Sequence, residues 1–170
     1  MIVSTPIGDL LATADEDGAL TGLWWGRTGA ARADEGRFAY LRAQLDSWFA
    51  GEITSFEVPL APRGTPWQQA VWSALREVPY GETITYAELA AQAGRPGSAR
   101  AAGAANARNP ISILIPCHRV VGTSGALTGY AGGVDAKAWL LAHERAVRSR
   151  APSPGSTPPR TTARPARPAA

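Results

Sequence analysis

Asn109-Pro110-Ile111-Ser112-Ile113-Leu114-Ile115-Pro116-Cys117-His118-Arg119-Val120-Val121 holds the only cysteine of a 170-residue chain and one of its two histidines. A thiol attacks as thiolate, so a nucleophilic cysteine needs a base or a cation beside it. Here an imidazole and a guanidinium are the next two residues. Pro116 fixes one backbone angle just ahead of the thiol and removes a donor, which suits a turn that presents a side chain. Ile111 to Ile115 is a short apolar run and predicts a buried strand with Cys117 at its end. A lone cysteine is also commonly a small buried hydrophobe, so its reading rests on the surrounding chain.

Upstream lies a helix-turn-helix candidate. Thr85 and Glu88 form a capping box that opens a helix from Tyr86 to Ala93, with Gly94 as its stop. Arg95-Pro96-Gly97 makes the turn, and Ser98 is the expected cap of a second helix from Ala99 to about Ala107. Two short helices joined by a Gly-containing turn also occur in proteins that never touch DNA. The second helix is mostly alanine, leaving Arg100, Asn106 and Arg108 as its long side chains. A helix reading base edges in a major groove would carry more of them. The composition fits close approach to a narrower groove with Arg100 as probe, or tight packing against the first helix.

Farther upstream, Thr65, Pro66 and Gln68 spell another capping box. The helix it opens presents Trp67, Ala70, Val71, Ala74 and Leu75 on one face and ends by Pro79-Tyr80-Gly81. Ala61-Pro62-Arg63-Gly64 reads as a linker. Residues 1–62 read as a small α+β unit without chemistry of its own. Ile2-Val3, Leu10 to Ala14 and Ala19 to Trp25 are strand-like. Phe38, Leu41, Leu45, Trp48 and Phe49 recur at helical spacing from Arg37 to Ala50, with Gly51 as stop. A return strand at Ile53 to Val58 is expected to complete the sheet. Downstream, a helix over Asp135 to Val147 places Glu144 one turn from Leu140, on a largely apolar face. An acid there usually has a buried partner; pairing with Lys137 or Arg145 at a half-exposed site is the alternative.

The wording around Cys117 resembles the active-site signature of the O6-alkylguanine-DNA alkyltransferases, the methylated-DNA–protein-cysteine methyltransferases. The resemblance is nearly continuous over 64–146, including Gly64-Thr65-Pro66-Trp67-Gln68, Val71-Trp72, Tyr80-Gly81-Glu82 and Ala99-Arg100-Ala101. Past the cysteine it continues through Gly129-Tyr130-Ala131-Gly132-Gly133, Lys137, Trp139-Leu140-Leu141 and Glu144. It implies a winged helix-turn-helix domain carrying the cysteine (63–148), preceded by a small sheet-plus-helix N-terminal domain (1–62) that matches only loosely. With a basic tail (149–170) that the resemblance does not cover, the chain reads as an α+β protein. The implied function is direct reversal of DNA damage. The alkyl group of O6-methylguanine, with O4-methylthymine as a further candidate, passes irreversibly to Cys117, once per molecule.

The resemblance also implies roles for individual residues. Cys117 accepts the alkyl group, His118 acts as base through a water, and Glu144 orients the histidine. Asn109 is the hinge between recognition helix and cysteine segment. Tyr86 crowds the 3′ phosphate and donates to the base, and Arg100 fills the place of the flipped nucleotide. Trp67, Ala87, Arg95, Ala99 and Thr123 join Tyr86 and Arg100 as DNA contacts. Tyr130, Ala131, Gly132 and Val120 line the guanine pocket. The partner is double-stranded DNA entered from the minor groove, by a monomer without metal or cofactor. Ala131 stands where some members carry a hydroxyl residue, which leaves the range of accepted adducts open. Two other readings remain. A damage-sensing module would flip the base without reacting, but such relatives lack the cysteine. A Cys–His hydrolase of small substrates would leave the helix-turn-helix without a role.

The formal charge of +3 is unevenly spread. Residues 1–62 carry 9 acids and 4 bases, residues 63–147 carry 5 and 8, and residues 148–170 add five arginines and no acid. The second half is thus suited to a polyanion, though a solvated surface explains the numbers too. From Ser149 the chain is rich in Pro, Arg, Ala, Ser and Thr, and disorder is expected. One cysteine forms no internal disulfide, and no apolar run approaches a membrane span. The N-terminus lacks the pattern of a signal peptide. These features fit a cytoplasmic protein.

Overall fold

The computed structural model describes residues 1–26 and 35–150. Strands β1 (Ile2–Thr5), β2 (Gly8–Ala14) and β3 (Leu20–Trp25) form an antiparallel meander in that order. Alternation puts Val3, Leu10, Ala12 and Leu23 on one buried face, and after a register shift at Thr13/Ala14 the buried Leu20 pairs with Ala14. Helix α1 (Glu35–Ala50) contributes Phe38, Leu41, Leu45 and Trp48 to the same core. Gly51 then takes φ +76°, and a Cβ there would lie 2.7 Å from Val147 of the last helix. Glycine here serves both the turn and the close approach.

The expected return strand at 53–58 does not form. Just past it, Leu60 makes an isolated parallel bridge to β3, through Leu20 N–H to Pro59 O and Ala61 N–H to Leu20 O. Farther along β3, Leu23 donates to Pro110 O and accepts from Ser112 N–H, at 2.8 and 2.9 Å. The edge that residues 53–58 would have paired with is thus held by a distant segment. Glu57 instead gives its N–H to the Gln44 side chain.

After the linker come α2 (Pro66–Arg76), the short β4 (Ile84–Thr85), α3 (Tyr86–Gln92) and α4 (Ala99–Ala107). Both capping boxes form with reciprocal hydrogen bonds, Thr65 with Gln68 and Thr85 with Glu88. Ser98 departs from expectation. At φ −98°, ψ 37° it lies outside the extended region a cap needs, and its side chain caps nothing. The alanines of α4 divide by face. Ala102 and Ala105 are buried, and the indoles of Trp67 and Trp72 donate to the carbonyls of Ala101 and Ala105. Ala101, Ala104 and Ala107 are exposed with Arg100 and Arg108. One side of the helix thus meets the tight-packing reading of that composition, and the other is a smooth exposed face flanked by two arginines. With β4 paired to β5 (Val120–Val121), α3 and α4 complete a winged helix-turn-helix within an α+β fold.

Residues 111–115 are not a strand. Ile111 makes the single bridge to Leu23, and the chain then curls so that Ile115 N–H reaches Ile111 O at 3.1 Å, with Ile113 at φ +72°. Pro110 and Pro116 cannot donate to a ladder. Asn109 gives the curl an alternative, accepting Ile111 N–H and donating to Ile115 O at 2.8 Å. All five residues are nevertheless buried. A 3-10 turn over Cys117–Arg119 follows, and α5 (Val134–Arg150) closes the fold. That helix runs through Ser149 and Arg150, two residues into the expected tail; the disorder expected beyond falls on residues outside those described. Among the described residues, no helix is long and apolar enough to cross a membrane.

Candidate active site

The curl between Asn109 and Pro116 delivers Cys117 to the floor of a cavity of about 290 Å³, where the residue is 5% exposed. Asn106, Asn109 and Ser112 line one part of it, and Gly129, Tyr130 and Ala131 another. Burial pushes the Cys117 thiol up, while the Asn109 side chain and the charge of Lys137 pull it down. The resting group is therefore a thiol, and a base is needed to make it a nucleophile.

His118 follows on the 3-10 turn and is fully buried, with Nε2 2.8 Å from Glu144 Oε1. Burial holds the imidazole below its usual pKa, against the opposing pull of Glu144. Burial would raise the Glu144 carboxyl, but the hydrogen bonds and charges of His118 and Arg119 outweigh it and hold the group at about 2. An ionised acid accepts only, so Nε2 must carry the proton of a neutral ring. The lone pair is then on Nδ1, a buried atom with no hydrogen-bond partner. The tautomer needed in a base is fixed by the carboxylate.

Glu144 has more partners than the sequence reading supplied. Arg119 donates to it through Nε and Nη2, at 3.0 and 2.9 Å, and gives Nη1 to Val78 O. Gly81 N–H adds a bond at 3.0 Å to Oε2. The buried partner expected on that face is thus His118 with Arg119; neither Lys137 nor Arg145 pairs with it. Tyr80 lies under the Arg119 guanidinium, 5.5 Å from its ring centroid, and burial followed by the Glu144 charge raises its phenol to about 12. Lys137 is itself fully buried, donating to Val120 O at 2.6 Å and Thr128 O at 2.9 Å. His143 packs among Trp48, Phe49 and Trp139 and reaches Trp48 O.

Of the expected pocket residues, Tyr130 and Ala131 line the cavity with Cys117. Gly132 faces an adjoining depression with Trp25, and Val120 is wholly buried in β5 and lines neither. Its carbonyl accepts from Lys137. Tyr86 does not line the cavity; its hydroxyl bonds Thr128 Oγ1 at 3.1 Å, one residue before the lining begins. Arg100, Ala87 and Thr123 are exposed and Ala99 half-buried. Arg95 stacks over Trp67, its guanidinium 4.8 Å from the ring centroid. From sequence, Arg119 reads only as a cation beside the thiol and Lys137 only as an alternative partner of Glu144, while Ser112 and Trp25 have no role at the site. Adjacency to His118 pointed to Arg119, and uniqueness to Lys137, the chain's one lysine. Trp25 carried no signal, since its contact is 105 residues away. Among the described residues, no His, Cys, Asp or Glu cluster is placed to hold a metal ion.

Residues 66–146 match the family description "6-O-methylguanine DNA methyltransferase, DNA binding domain". A methylated-DNA–protein-cysteine methyltransferase of Methanosarcina acetivorans is 48% identical over 146 residues, covering 82% of this chain and 94% of that one. The Salmonella typhimurium protein of the same name is 44% identical, covering 84% and 92%. Among solved structures, Mycobacterium tuberculosis OGT in complex with DNA superposes with a TM-score of 0.79 at 47% identity, covering 86% of this chain and 92% of that one.

Proposed function

Since the chain belongs to the methylated-DNA–protein-cysteine methyltransferase family, we propose that its buried Cys117–His118–Glu144 set is the machinery of the family's reaction. The protein repairs O6-methylguanine in DNA by direct reversal, moving the alkyl group onto a cysteine. Cys117 is the sole cysteine. His118 Nδ1 takes the thiol proton, directly or through a water. The thiolate attacks the alkyl carbon, the C–O6 bond breaks, and the guanine left behind is reprotonated. Glu144 stabilises the imidazolium that forms, as in triad logic. The resulting thioether has no easy route back, so each molecule reacts once.

The observation that carries this reading is the lone thiol on the cavity floor, next in sequence to a histidine whose free nitrogen is set by a buried carboxylate. The guanine O6 lies inside a duplex, so the base must leave the stack to meet Cys117. Tyr130 and Ala131 would receive it, and Tyr86, beside Thr128 at the cavity's edge, would crowd the backbone and donate a proton. Arg100 would occupy the vacated stack. The exposed face of Ala101, Ala104 and Ala107 supports entry from the minor groove, where a smooth helix approaches closely. Trp67 with stacked Arg95, and Ala87, Ala99 and Thr123, would flank that contact, and Asn109 would hold the hinge. In this reading residues 1–62 and 63–148 are two domains, 149–170 a basic tail, and the molecule a monomer of the reducing cytoplasm.

Incubation with a duplex carrying O6-methylguanine, followed by intact mass and peptide mapping, tests the assignment. One added CH₂ on the Cys117 peptide is expected. The Cys117→Ser variant should bind the duplex and leave the methyl on guanine. Transfer by that variant would reject the nucleophile.

A further inference from the structure

Trp25, at the end of β3, reaches the reactive cavity from a part of the chain in which the sequence shows no chemistry. Its Nε1–H donates to the Tyr130 hydroxyl at 3.3 Å, and the two rings meet edge-on at 6.2 Å. A Cβ at Gly132 would lie 2.8 Å from the indole, so the 129–133 loop is pressed against that ring. The same loop supplies Gly129, Tyr130 and Ala131 to the cavity above Cys117. On its other side is a depression of about 420 Å³ lined by Ile2, Gly8, Asp9, Trp25 and the loop's own Ala131 and Gly132. The indole is thus both a hydrogen-bond partner for one cavity wall and an occupant of the space into which that wall could retreat. The strand bearing it is anchored to the cysteine segment, through Leu23 to Pro110 and Ser112. The floor and the wall of the cavity are therefore referenced to the same strand.

We propose that Trp25 is a positioning residue that latches the 129–133 loop over Cys117 and so limits the size of the O6 substituent the cavity admits. The proposal rests on the alkyl-transfer reading above. Methyl fits with the latch closed. A benzyl group needs the loop to yield towards the depression, and the Trp25–Tyr130 bond and the packing on Gly132 resist that movement.

Single-turnover transfer rates for O6-methylguanine and O6-benzylguanine, each in the same duplex, are compared for wild type, Trp25→Phe and Tyr130→Phe. The first variant keeps a ring against Gly132 and removes the donor; the second removes the acceptor. A net hydrogen bond of ordinary strength corresponds to a rise of roughly fivefold in the benzyl-to-methyl rate ratio. Each single variant is expected to show it, and the double variant to add little. Alkylation of the single thiol by iodoacetamide without DNA should accelerate in the same variants. Equal slowing of both substrates, an unchanged ratio, or additive effects in the double variant would overturn the latch. Wild type that leaves both adducts on DNA would instead overturn the alkyl-transfer reading, and the iodoacetamide rates would still decide the latch.

Discussion

Helix α5 buries two ionisable side chains about two turns apart, and the fold treats them in opposite ways. Glu144 meets a guanidinium, an imidazole and a backbone N–H. Lys137 directs its hydrogen bonds to two backbone carbonyls, Val120 and Thr128. The carboxyl is held ionised at about 2 against its burial, whereas burial lowers the lysine. Counter-charges let a buried group keep its charge and pass the effect to a neighbour, here the tautomer of His118. Carbonyl dipoles tie a charge down and use it as a clasp between β5 and the loop that leads to Tyr130. One end of the helix tunes chemistry; the other fixes shape.

Removing the charge at the tuning end should have the largest effect. Glu144→Gln is expected to slow single-turnover transfer on the order of 10²- to 10⁴-fold, the range for general base catalysis, with DNA affinity nearly kept. An unchanged rate would make the two ends alike, both structural.

Arg119→Met should cost about 3 kcal/mol or more in a denaturant titration, because it strands a buried carboxylate beside a neutral ring and frees Val78 O. Loss under 1 kcal/mol would mean that His118 and Gly81 alone suffice for Glu144.

Acid should separate the ends as well. The Glu144 pKa is depressed from 4.5 to about 2, so its contribution is complete above 4.5 and lost as pH falls towards 2. The shift corresponds to about 3 kcal/mol. His118 is also lowered, from 6.5, so the unfolded chain gains a proton first and stability starts to fall below that pH. Unfolding titrations of wild type and Glu144→Gln should diverge at neutral pH and converge at the acid end. Parallel curves would assign the acid sensitivity to other groups.

Lys137→Met should show the smallest loss. Two carbonyls lose a donor, at about 1–3 kcal/mol, and relief of the buried ammonium offsets part of that. Burial lowers the lysine, so below its unfolded pKa the wild type carries a penalty that shrinks as pH rises towards 10.5. The stability gap between the two proteins should therefore widen with pH over that window. A gap above 4 kcal/mol would make the clasp the equal of the Glu144 network.

How legible each part was follows from how far apart its partners lie. Thr65 with Gln68 and Thr85 with Glu88 are three residues apart, and both boxes formed as their spacing predicts. The three strands of the meander were read from alternation and turns, within one or two residues at their ends. Ile111 to Ile115 misled because burial on all sides suits a strand and a curl equally; the Asn109 side chain and the edge of β3 decide between them. Ile53 to Val58 misled for the complementary reason, since its partner edge was already taken. At the site, Cys117 and His118 stood out by rarity and adjacency. Arg119 stood out by the same adjacency, but the carboxylate it binds is 25 residues away, and nothing local gives that pairing.

The hydrogen bonds between Leu23 and Pro110 and between Ser112 and Leu23 cross the linker at 61–64, and they lie at the buried centre of both halves. Backbone amides are released to exchange by opening of the cooperative unit that contains them. The amides of Leu23 and Ser112 should then exchange deuterium at one common slow rate, that of unfolding the whole molecule. Two halves that merely touched would exchange on separate clocks, and a fragment starting at residue 63 would keep its helices yet leave the Ser112 amide to exchange early.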